Sequence, residues 1–376
     1  MIYLDNAATT KPFKAAVDRA YEFINEKYYN PSAMYKEGFA LQSELKKARS
    51  ALLLPIADQN AFELVFTSCG TESDNQAIFS FARRGNIITT EGEHSAVLAP
   101  FAELKTRGTA QVRYAPLEKD GRVNVEKLLE SVDEKTCFVS VMHVNNEMGA
   151  INDVNDIAKR VKQKNPRVIF HSDGVQAYGK ILFKLGKEVD LYSISAHKIG
   201  GLKGVGALIK RKTLTLPPYI YGGGQETGKR SGTENTFGIM QFAYAAEEKF
   251  SRLAEKNEQI KGYREKLWQA LNKTVYTRLS DVAGSPYILT ISAVGLRGAI
   301  LQQMANDQGL LVGTGSACSS NSKRRFSAVV LACGYDEKTA DGMLRVSFSD
   351  DTTEEEIDRA ASILNAIGED LKRRMK

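Results

Sequence analysis

Residues 168–198 read VIFHSDGVQAYGKILFKLGKEVDLYSISAHK. The runs Val168–His171 and Leu191–Ser195 are short and rich in residues that favour strands. A polar group follows each run, Asp173 after the first and Lys198 after the second. In open parallel sheets, ligands bind beyond the carboxyl ends of the strands. The stretch therefore predicts two strands of an α/β sheet with a polar site at their carboxyl ends.

The same alternation of strand-like and helix-like segments fills much of the chain on either side. It predicts a large α/β domain with a mainly parallel sheet and helices on both faces. Further strands are expected at Leu64–Thr67, Asn86–Thr90, Val112–Ala115, Cys137–Met142 and Val205–Ile209. Helices are expected at Ala40–Leu54, Glu72–Ala82, Ala96–Thr106, Val125–Val132 and Asp153–Lys164.

The pattern changes after Thr233. The segment Phe237–Leu271 has no proline and predicts a long helix, bent or broken, that leaves the first domain. We expect a large domain at 14–250 and a smaller α+β domain made of 1–13 and 251–376. Elements of the smaller domain are expected at Tyr287–Ile291 and Met343–Phe348 as strands, and at Ala299–Asp307, Phe326–Ala332 and Glu354–Arg373 as helices.

The composition is that of a globular protein, with 43% hydrophobic and 26% charged residues among 376. The net charge of +6 comes with short basic clusters that have no interleaved aromatic residues, so we expect no direct nucleic-acid binding. No apolar stretch approaches the length of a membrane span. The opening MIYLDNAATT has an acidic residue where a signal peptide is apolar, so we expect a cytoplasmic protein. Four scattered cysteines without a CxxC pair predict neither disulfides nor a metal site.

The chain has only 4 histidines, and each one follows or ends a strand-like run. Other polar residues cluster at the same places, so the ends of five strands are expected to converge on one binding site. Loops are polar in general, which explains one or two such clusters more easily than five. The histidines are His94, His143, His171 and His197.

The run Thr67–Ser73 leads from a strand into a helix through small residues. Backbone N–H groups at a helix N-terminus favour an anion, and phosphate is the natural candidate. A plain helix start with Ser68 or Thr71 as N-cap remains the alternative.

A lysine directly past a buried strand can lose the solvation of its ammonium group, and such a lysine forms Schiff bases. Lys198 stands at such a position, although a surface lysine there would also be ordinary. Asp173 can lie at the same edge of the sheet. A covalently bound lysine and an aspartate facing a pyridine nitrogen are the pattern of pyridoxal phosphate enzymes. The phosphate turn, Lys198 and Asp173 are therefore interpreted as one cofactor site.

In these residues and in the motifs around them, the chain resembles the cysteine desulfurases, in the class V aminotransferase group of fold-type I pyridoxal phosphate enzymes. The resemblance runs from YLDNAATT at 3–10 to RVSFSDDTTEEEI at 345–357, so it covers nearly the whole length. Any one motif is weak, but an ordered series is specific. The motifs between are FTSCGTESDN, TTEGEHSAVL, VMHVNNEMG, HSDGVQAYGK, SISAHK, YGGGQETGKRSGTEN and GTGSACSS.

The resemblance implies how these residues hold pyridoxal 5'-phosphate. Lys198 would bind the cofactor covalently and shuttle a proton, and Asp173 would pair with the ring nitrogen. Gln176 would hydrogen-bond the ring hydroxyl oxygen, and His94 would stack on the ring. The phosphate would be bound by Gly70, Thr71, Ser195, His197 and, from the other subunit of a homodimer, Thr233.

The resemblance also implies the reaction. Sulfur would pass from L-cysteine to the thiol of Cys318, giving L-alanine and a persulfide, with His94 as proton carrier. Asn146 would contact the cofactor and, together with Arg345, bind the substrate carboxylate, which suits a planar guanidinium. The persulfide would then serve a protein acceptor, which could be an iron–sulfur scaffold, a tRNA-thiolating enzyme or a carrier.

Cys318 is preferred as the acceptor because small residues surround it at 313–320, and its loop resembles that of the family branch with the longer cysteine loop. Cys137 and Cys333 are expected to be buried core cysteines. Cys69, close to the phosphate turn, remains a less easily dismissed candidate.

Other functions remain open beside this one: a selenocysteine lyase, another enzyme of the class V group, or a non-catalytic protein that keeps the fold. The presence of a lysine, an aspartate and a loop cysteine in their places argues against the last. Two departures from the family pattern concern packing: Gly174 follows the aspartate where alanine or an apolar residue is usual, and Leu202 replaces a proline after the lysine loop.

Overall fold

The structure is a computed structural model, and it describes residues 1–83, 85–315 and 326–374. Its strands are β1 Ile2–Tyr3, β2 Phe62–Thr67, β3 Asn86–Thr90, β4 Gln111–Ala115, β5 Thr136–Ser140, β6 Ile169–Asp173, β7 Leu191–Ser195, β8 Gly206–Arg211, β9 Thr277–Arg278, β10 Ile288–Ser292, β11 Leu310–Leu311 and β12 Met343–Ser347. Its helices are α1 Lys14–Glu26, α2 Lys36–Leu53, α3 Gly70–Phe81, α4 Ser95–Thr106, α5 Val125–Glu130, α6 Val154–Lys164, α7 Thr236–Ser251, α8 Leu253–Ala270, α9 Gly298–Asp307, α10 Ala328–Ala332, α11 Glu337–Asp341 and α12 Glu354–Arg374.

A seven-stranded sheet with the order β2-β8-β7-β6-β5-β3-β4 forms the centre of the fold. All neighbouring pairs from β7 to β4 are parallel, which confirms the predicted mainly parallel sheet. Strand β8 is the exception, because it runs antiparallel to both β7 and β2. The connection from β7 to β8 contains no crossover helix, and a return to parallel pairing needs a long connection.

Strands β2 and β3 bury side chains on both faces of the sheet. Leu64 and Phe66 of β2 pack into one hydrophobic cluster, whereas Val65 between them packs into a second cluster on the opposite face. In β3, Ile88 packs into the first of these clusters and Ile87 into the second. Because successive side chains of a strand point to opposite faces, one sheet supports two layers of helices.

The carboxyl-terminal part has a hydrophobic cluster of its own, built on the antiparallel sheet β12-β10-β9 and helices α8, α9 and α12. Ile2 and Leu4 belong to this cluster, since β1 pairs with β11. The long helix predicted after Thr233 is broken at Arg252, between α7 and α8. These features support the two-domain division, and its boundaries remain a prediction.

Two helices are shorter in the structure than their predicted ranges. Helix α10 begins at Ala328, after an N-cap by Ser327, rather than at Phe326. Helix α5 ends at Glu130 rather than at Val132. Within the described ranges, no helix combines the length and the apolar character that crossing a membrane requires.

Candidate active site

A cavity of about 200 Å³ opens at the carboxyl ends of the central strands. It brings together almost all of the residues that were predicted to bind the cofactor. Thr233 alone of that set is not among its lining residues, and its side chain is exposed. The predicted residues that line the cavity are Gly70, Thr71, His94, Asn146, Asp173, Gln176, Ser195, His197 and Lys198.

The predicted anion site lies where β2 passes into α3. The helix begins at Gly70 behind the N-cap residue Cys69, which makes no side-chain cap hydrogen bond, so a plain start capped by Ser68 or Thr71 is wrong. The hydroxyl oxygen of Ser195, at the end of β7, is buried and has no hydrogen-bond partner in the part of the chain that the structure describes. A buried hydroxyl normally has a hydrogen-bond partner. The Ser195 hydroxyl and the N-terminus of α3 are therefore available to bind an anionic group.

Lys198 lies in the single helical turn Ala196–Lys198 that follows β7. Its Nζ donates hydrogen bonds to the carbonyl oxygens of Ala7 at 2.7 Å and Ala8 at 2.8 Å. The first residues of the chain therefore hold the amine at the cavity. Gln176 Nε2 also donates to the Ala7 oxygen, at 2.8 Å.

Asp173 ends β6 and is buried, with Oδ1 accepting a hydrogen bond from Val175 N at 2.9 Å. Burial raises the pKa of Asp173 to about 6, and the nearby Asp74 adds to this effect, whereas His94 opposes it. Burial likewise raises the pKa of Asp74 to about 7. Two buried carboxyl groups that line one cavity favour a cationic ligand group there.

Asp74 lines the cavity and was not predicted as a site residue. A sequence signal existed, because Asp74 stands four residues after Gly70 in the motif FTSCGTESDN. Residues four apart lie on one face of a helix. The carboxyl group was therefore to be expected on the side that faces the ligand.

His94 is the N-cap of α4, and its Nδ1 accepts a hydrogen bond from Ala96 N at 3.1 Å. Burial lowers the pKa of His94, with Lys198 and Arg345 adding to the decrease and Asp173 opposing it. The ring is therefore neutral at pH 7, and its single proton lies on Nε2 because Nδ1 is an acceptor.

The other two strand-end histidines do not line the cavity. His143 Nδ1 lies 2.8 Å from the Tyr192 hydroxyl, and His171 Nε2 lies 3.0 Å from the Ser193 hydroxyl. Burial lowers the pKa of both rings to about 4, so they are neutral core side chains, each bound to a neighbouring hydroxyl group. The expectation that all four histidines meet at the site is thus wrong for these two.

Arg345 lies on β12, buried beside the loop that carries Asn146. Its Nη1 donates to the Asn146 carbonyl oxygen at 2.9 Å, and its Nη2 donates to Asp5 Oδ1 at 2.8 Å. The two contacts fix the plane of the guanidinium group. Asp5 was not predicted in this role, although the motif YLDNAATT that contains it was.

Cys318 lies outside the described residues. Cys333 is buried, as predicted. Cys137 packs against a hydrophobic cluster of the sheet but is only half-buried, so the expectation of full burial is wrong for it. Burial raises the pKa of the Cys333 thiol to about 12. Cys69 is half-buried and lines the cavity.

The departure at Leu202 has a structural consequence. Its backbone N–H donates to Gln241 Oε1 at 2.8 Å, and Gln241 Nε2 donates in turn to the Gly200 carbonyl oxygen at 3.1 Å. Proline has no N–H, so the hydrogen bond from Leu202 to Gln241 depends on the departure.

Comparison with known proteins places this geometry in a family. The model of aminotransferase class-V matches residues 2–360. A protein of Methanosarcina thermophila named cysteine desulfurase IscS is 36% identical, over 99% of this chain and 93% of that protein. A solved NifS-like protein superposes with a TM-score of 0.89 at 36% identity, over 97% of this chain and 98% of that chain. The structure named SspA in complex with cysteine has a TM-score of 0.80 at 27% identity, over 94% of this chain and 100% of that chain.

The chain therefore belongs to the aminotransferase class-V family and, within it, to the cysteine desulfurases. The predicted family, the fold-type I α/β class and the enzyme class are confirmed by these comparisons.

Proposed function

We propose that the protein takes the sulfur atom from L-cysteine and places it on the thiol of Cys318. In the balanced reaction, L-cysteine and the Cys318 thiol give L-alanine and the Cys318 persulfide. The observation that supports this proposal best is the single cavity in which Lys198, Asp173 and the α3 N-terminus meet. The relative solved with cysteine bound supports the choice of substrate.

The cavity fits pyridoxal 5'-phosphate on its own chemistry. The unpartnered Ser195 hydroxyl and the start of α3 suit the phosphate, and the buried Asp173 suits a protonated ring nitrogen. A side chain at Gly70 would fill the cradle, because its Cβ would lie 2.8 Å from Val175 Cγ2. When bound, the cofactor supplies an electron sink that weakens the bonds at the substrate Cα and then the C–S bond.

Side chains of this protein then bind the substrate, orient it and move its protons. Arg345 and Asn146 hold the substrate carboxylate, and Lys198 carries the Cα proton on Nζ. His94 exchanges a proton with the substrate sulfur through Nε2, since the Ala96 N–H occupies Nδ1. The Cys318 thiolate attacks the substrate sulfur, because the thiolate is the nucleophilic form of cysteine. The Cβ–S bond of the substrate breaks as the S–S bond forms, and the electron pair left on the substrate carbon takes up a proton to give L-alanine.

The assembly is part of the proposal. Thr233 is exposed and is not among the residues that line the cavity of its own chain, so it would serve the site of a second copy in a homodimer. The persulfide would leave to a protein acceptor such as an iron–sulfur scaffold, a tRNA-thiolating enzyme or a carrier. We place this chemistry in the cytoplasm and assign the cysteine loop to a small domain of residues 1–13 and 251–376.

Intact-mass spectrometry after exposure to L-cysteine tests the proposal. We expect the mass of one added sulfur atom on the holoenzyme, located at Cys318 and removed by a reductant. Cys318→Ala should keep the visible absorbance of the bound cofactor and lose the added sulfur, whereas Lys198→Ala should lose both. Cys137→Ala is the matched control and should behave as the parent. A parent protein that binds no pyridoxal phosphate, or a Cys318→Ala variant that makes alanine at the parent rate, contradicts the proposal.

A further inference from the structure

We propose that Lys180 is a positioning residue that fixes the side-chain amide of Gln176 with its NH2 group toward the cofactor cavity. This inference rests on the proposed function, because it concerns the contact between Gln176 and the cofactor's ring oxygen. It adds a residue that does not itself line the cavity.

The first support is the contact between the two side chains. Lys180 Nζ lies 2.7 Å from Gln176 Oε1, and both side chains are buried. A lysine amine in this position is a hydrogen-bond donor, and an amide offers a lone pair only on its oxygen. The atom of Gln176 that faces Lys180 is therefore the oxygen.

The second support lies at the other end of the same amide. Gln176 Nε2 donates to the Ala7 carbonyl oxygen at 2.8 Å, the oxygen that also accepts from Lys198 Nζ at 2.7 Å. Reversing the amide would place nitrogen against nitrogen at Lys180 and oxygen against oxygen at Ala7. An amide nitrogen carries two N–H groups, and only one is used by Ala7. The second remains for a ligand oxygen in the cavity that Gln176 lines.

The burial of the Lys180 amine lowers the stability of the fold. Only 3% of the residue is exposed, and within the described ranges its amine makes no ion pair. Burial lowers the pKa of Lys180 well below its usual range, and the cations Lys198, Lys249 and Arg345 add to this effect. Burying an amine without a carboxylate partner destabilises the fold, and the hydrogen bond to Gln176 offsets only part of that cost.

Lys249 provides the contrast. It lines the same small cleft behind Lys198 as Lys180 does and is just as buried, at 4% exposure. Its amine, however, is paired with the carboxylate of Asp350 and contacts the Tyr287 hydroxyl at 3.1 Å. Charge and burial are thus similar for the two lysines, and only one of them holds Gln176.

The test compares four holoenzymes: the parent, Lys180→Met, Gln176→Leu and the double variant. The readouts are the wavelength of the visible band of the bound cofactor and the dissociation constant for pyridoxal phosphate added to apoprotein. We expect Lys180→Met to shift the band in the same direction as Gln176→Leu and to weaken binding about twofold to tenfold, the value of one hydrogen bond. The double variant should match Gln176→Leu, because residues that act through one contact are not additive.

Lys249→Met is the matched control and should leave the band at the parent wavelength. Lys180→Gln keeps an N–H donor without the charge, and its band should also stay at the parent position. An unshifted band in Lys180→Met, or a shift of the same size in Lys249→Met, overturns the proposal. If Lys180→Met does not fold, a Lys180→Gln band at the Gln176→Leu position overturns it instead. A parent protein without any visible band is a failure of the proposed function and is thereby distinguished from a failure of this inference.

Discussion

The ring of Tyr192 occupies the space that a side chain on residue 174 would need. A Cβ atom on Gly174 would lie 2.0 Å from Tyr192 Cζ and 2.1 Å from Cε1, far inside van der Waals contact. The Tyr192 hydroxyl in turn lies 2.8 Å from His143 Nδ1. The glycine directly after Asp173, where the family usually has alanine or an apolar residue, is thus matched by a buried aromatic ring beneath the site.

Gly174→Ala is expected to lower the free energy of unfolding by about 1–3 kcal/mol, the usual effect of an overpacked core. Chemical denaturation of the apoprotein measures this change. Adding Tyr192→Val should recover part of the loss, so that the two substitutions are less than additive. Gly262→Ala is the control, since Gly262 is exposed on α8 with nothing within 4 Å of an added Cβ. Equal stability of Gly174→Ala and the parent would contradict the steric account.

Arg345→Lys is expected to raise the KM for L-cysteine about tenfold to a hundredfold, with a smaller change in kcat. The planar fork that contacts Asn146 and Asp5 is lost, and lysine does not replace two charged hydrogen bonds. The rate of alanine formation at varied cysteine concentration measures both constants. Arg278→Lys is the control, because Arg278 is a similarly paired arginine bound to Glu265 away from the cavity. A parent-like KM for Arg345→Lys would show that the guanidinium does not bind the substrate.

Ser195→Ala is expected to weaken pyridoxal phosphate binding about fivefold to thirtyfold without lowering the stability of the apoprotein. The Ser195 hydroxyl has no hydrogen-bond partner in the described chain, so its removal does not change the stability of the apoprotein. The bound phosphate, in contrast, loses one hydrogen bond. Ligand titration and thermal unfolding measure the two effects.

Ser193, two residues earlier on β7, provides the opposite pattern as a control. Its hydroxyl lies 3.0 Å from His171 Nε2, so Ser193→Ala should lower the stability of the apoprotein itself. A Ser195→Ala apoprotein that is destabilised as strongly as Ser193→Ala would mean that the Ser195 hydroxyl has a structural role.

Glu147 should make the stability of the apoprotein depend on pH. Burial raises the pKa of Glu147 from 4.5 to about 7, although its carboxylate accepts a hydrogen bond from Ser327 at 2.5 Å. The folded state then binds the proton more tightly than the unfolded state. This contribution to stability is complete below pH 4.5 and is lost as the pH rises through about 7.

The Glu147→Gln side chain cannot ionise, so the variant does not lose this contribution to stability as the pH rises. The free energy of unfolding of the variant relative to the parent should therefore increase by about 2–3 kcal/mol between pH 5 and pH 8. Denaturant unfolding at the two pH values measures the change. Glu130→Gln is the control, since Glu130 is an exposed residue on α5 and should give no such difference. A constant difference for Glu147→Gln would show that Glu147 ionises normally in the fold.

Local patterns predicted the elements of the sheet well where strands are buried on both sides. Asn86–Thr90 and Leu191–Ser195 were predicted residue for residue, because each run is bounded by polar or turn-forming residues. The direction of β8 could not be read in this way. Strand polarity depends on which neighbours a segment pairs with, and those contacts are distant in sequence.

The chemistry of the site was also largely readable, because a lysine, an aspartate and an anion turn each stand directly after a strand. No local pattern indicated that His143 and His171 turn into the core, since a strand end looks the same whether its side chain faces a cavity or a helix layer. Nor could a local pattern indicate that Asp5 would meet Arg345 at 2.8 Å, because 340 positions separate them.

By itself, then, the order of residues determined the α/β alternation, the family and the identity of the groups that can do chemistry, since these depend on side-chain type and short-range periodicity. Only the tertiary structure decided how those groups are held. The Ala7 oxygen binds both Lys198 and Gln176, and Tyr192 fills the space beside Gly174. Each of these contacts joins segments whose distance is set by chain folding and not by spacing along the chain.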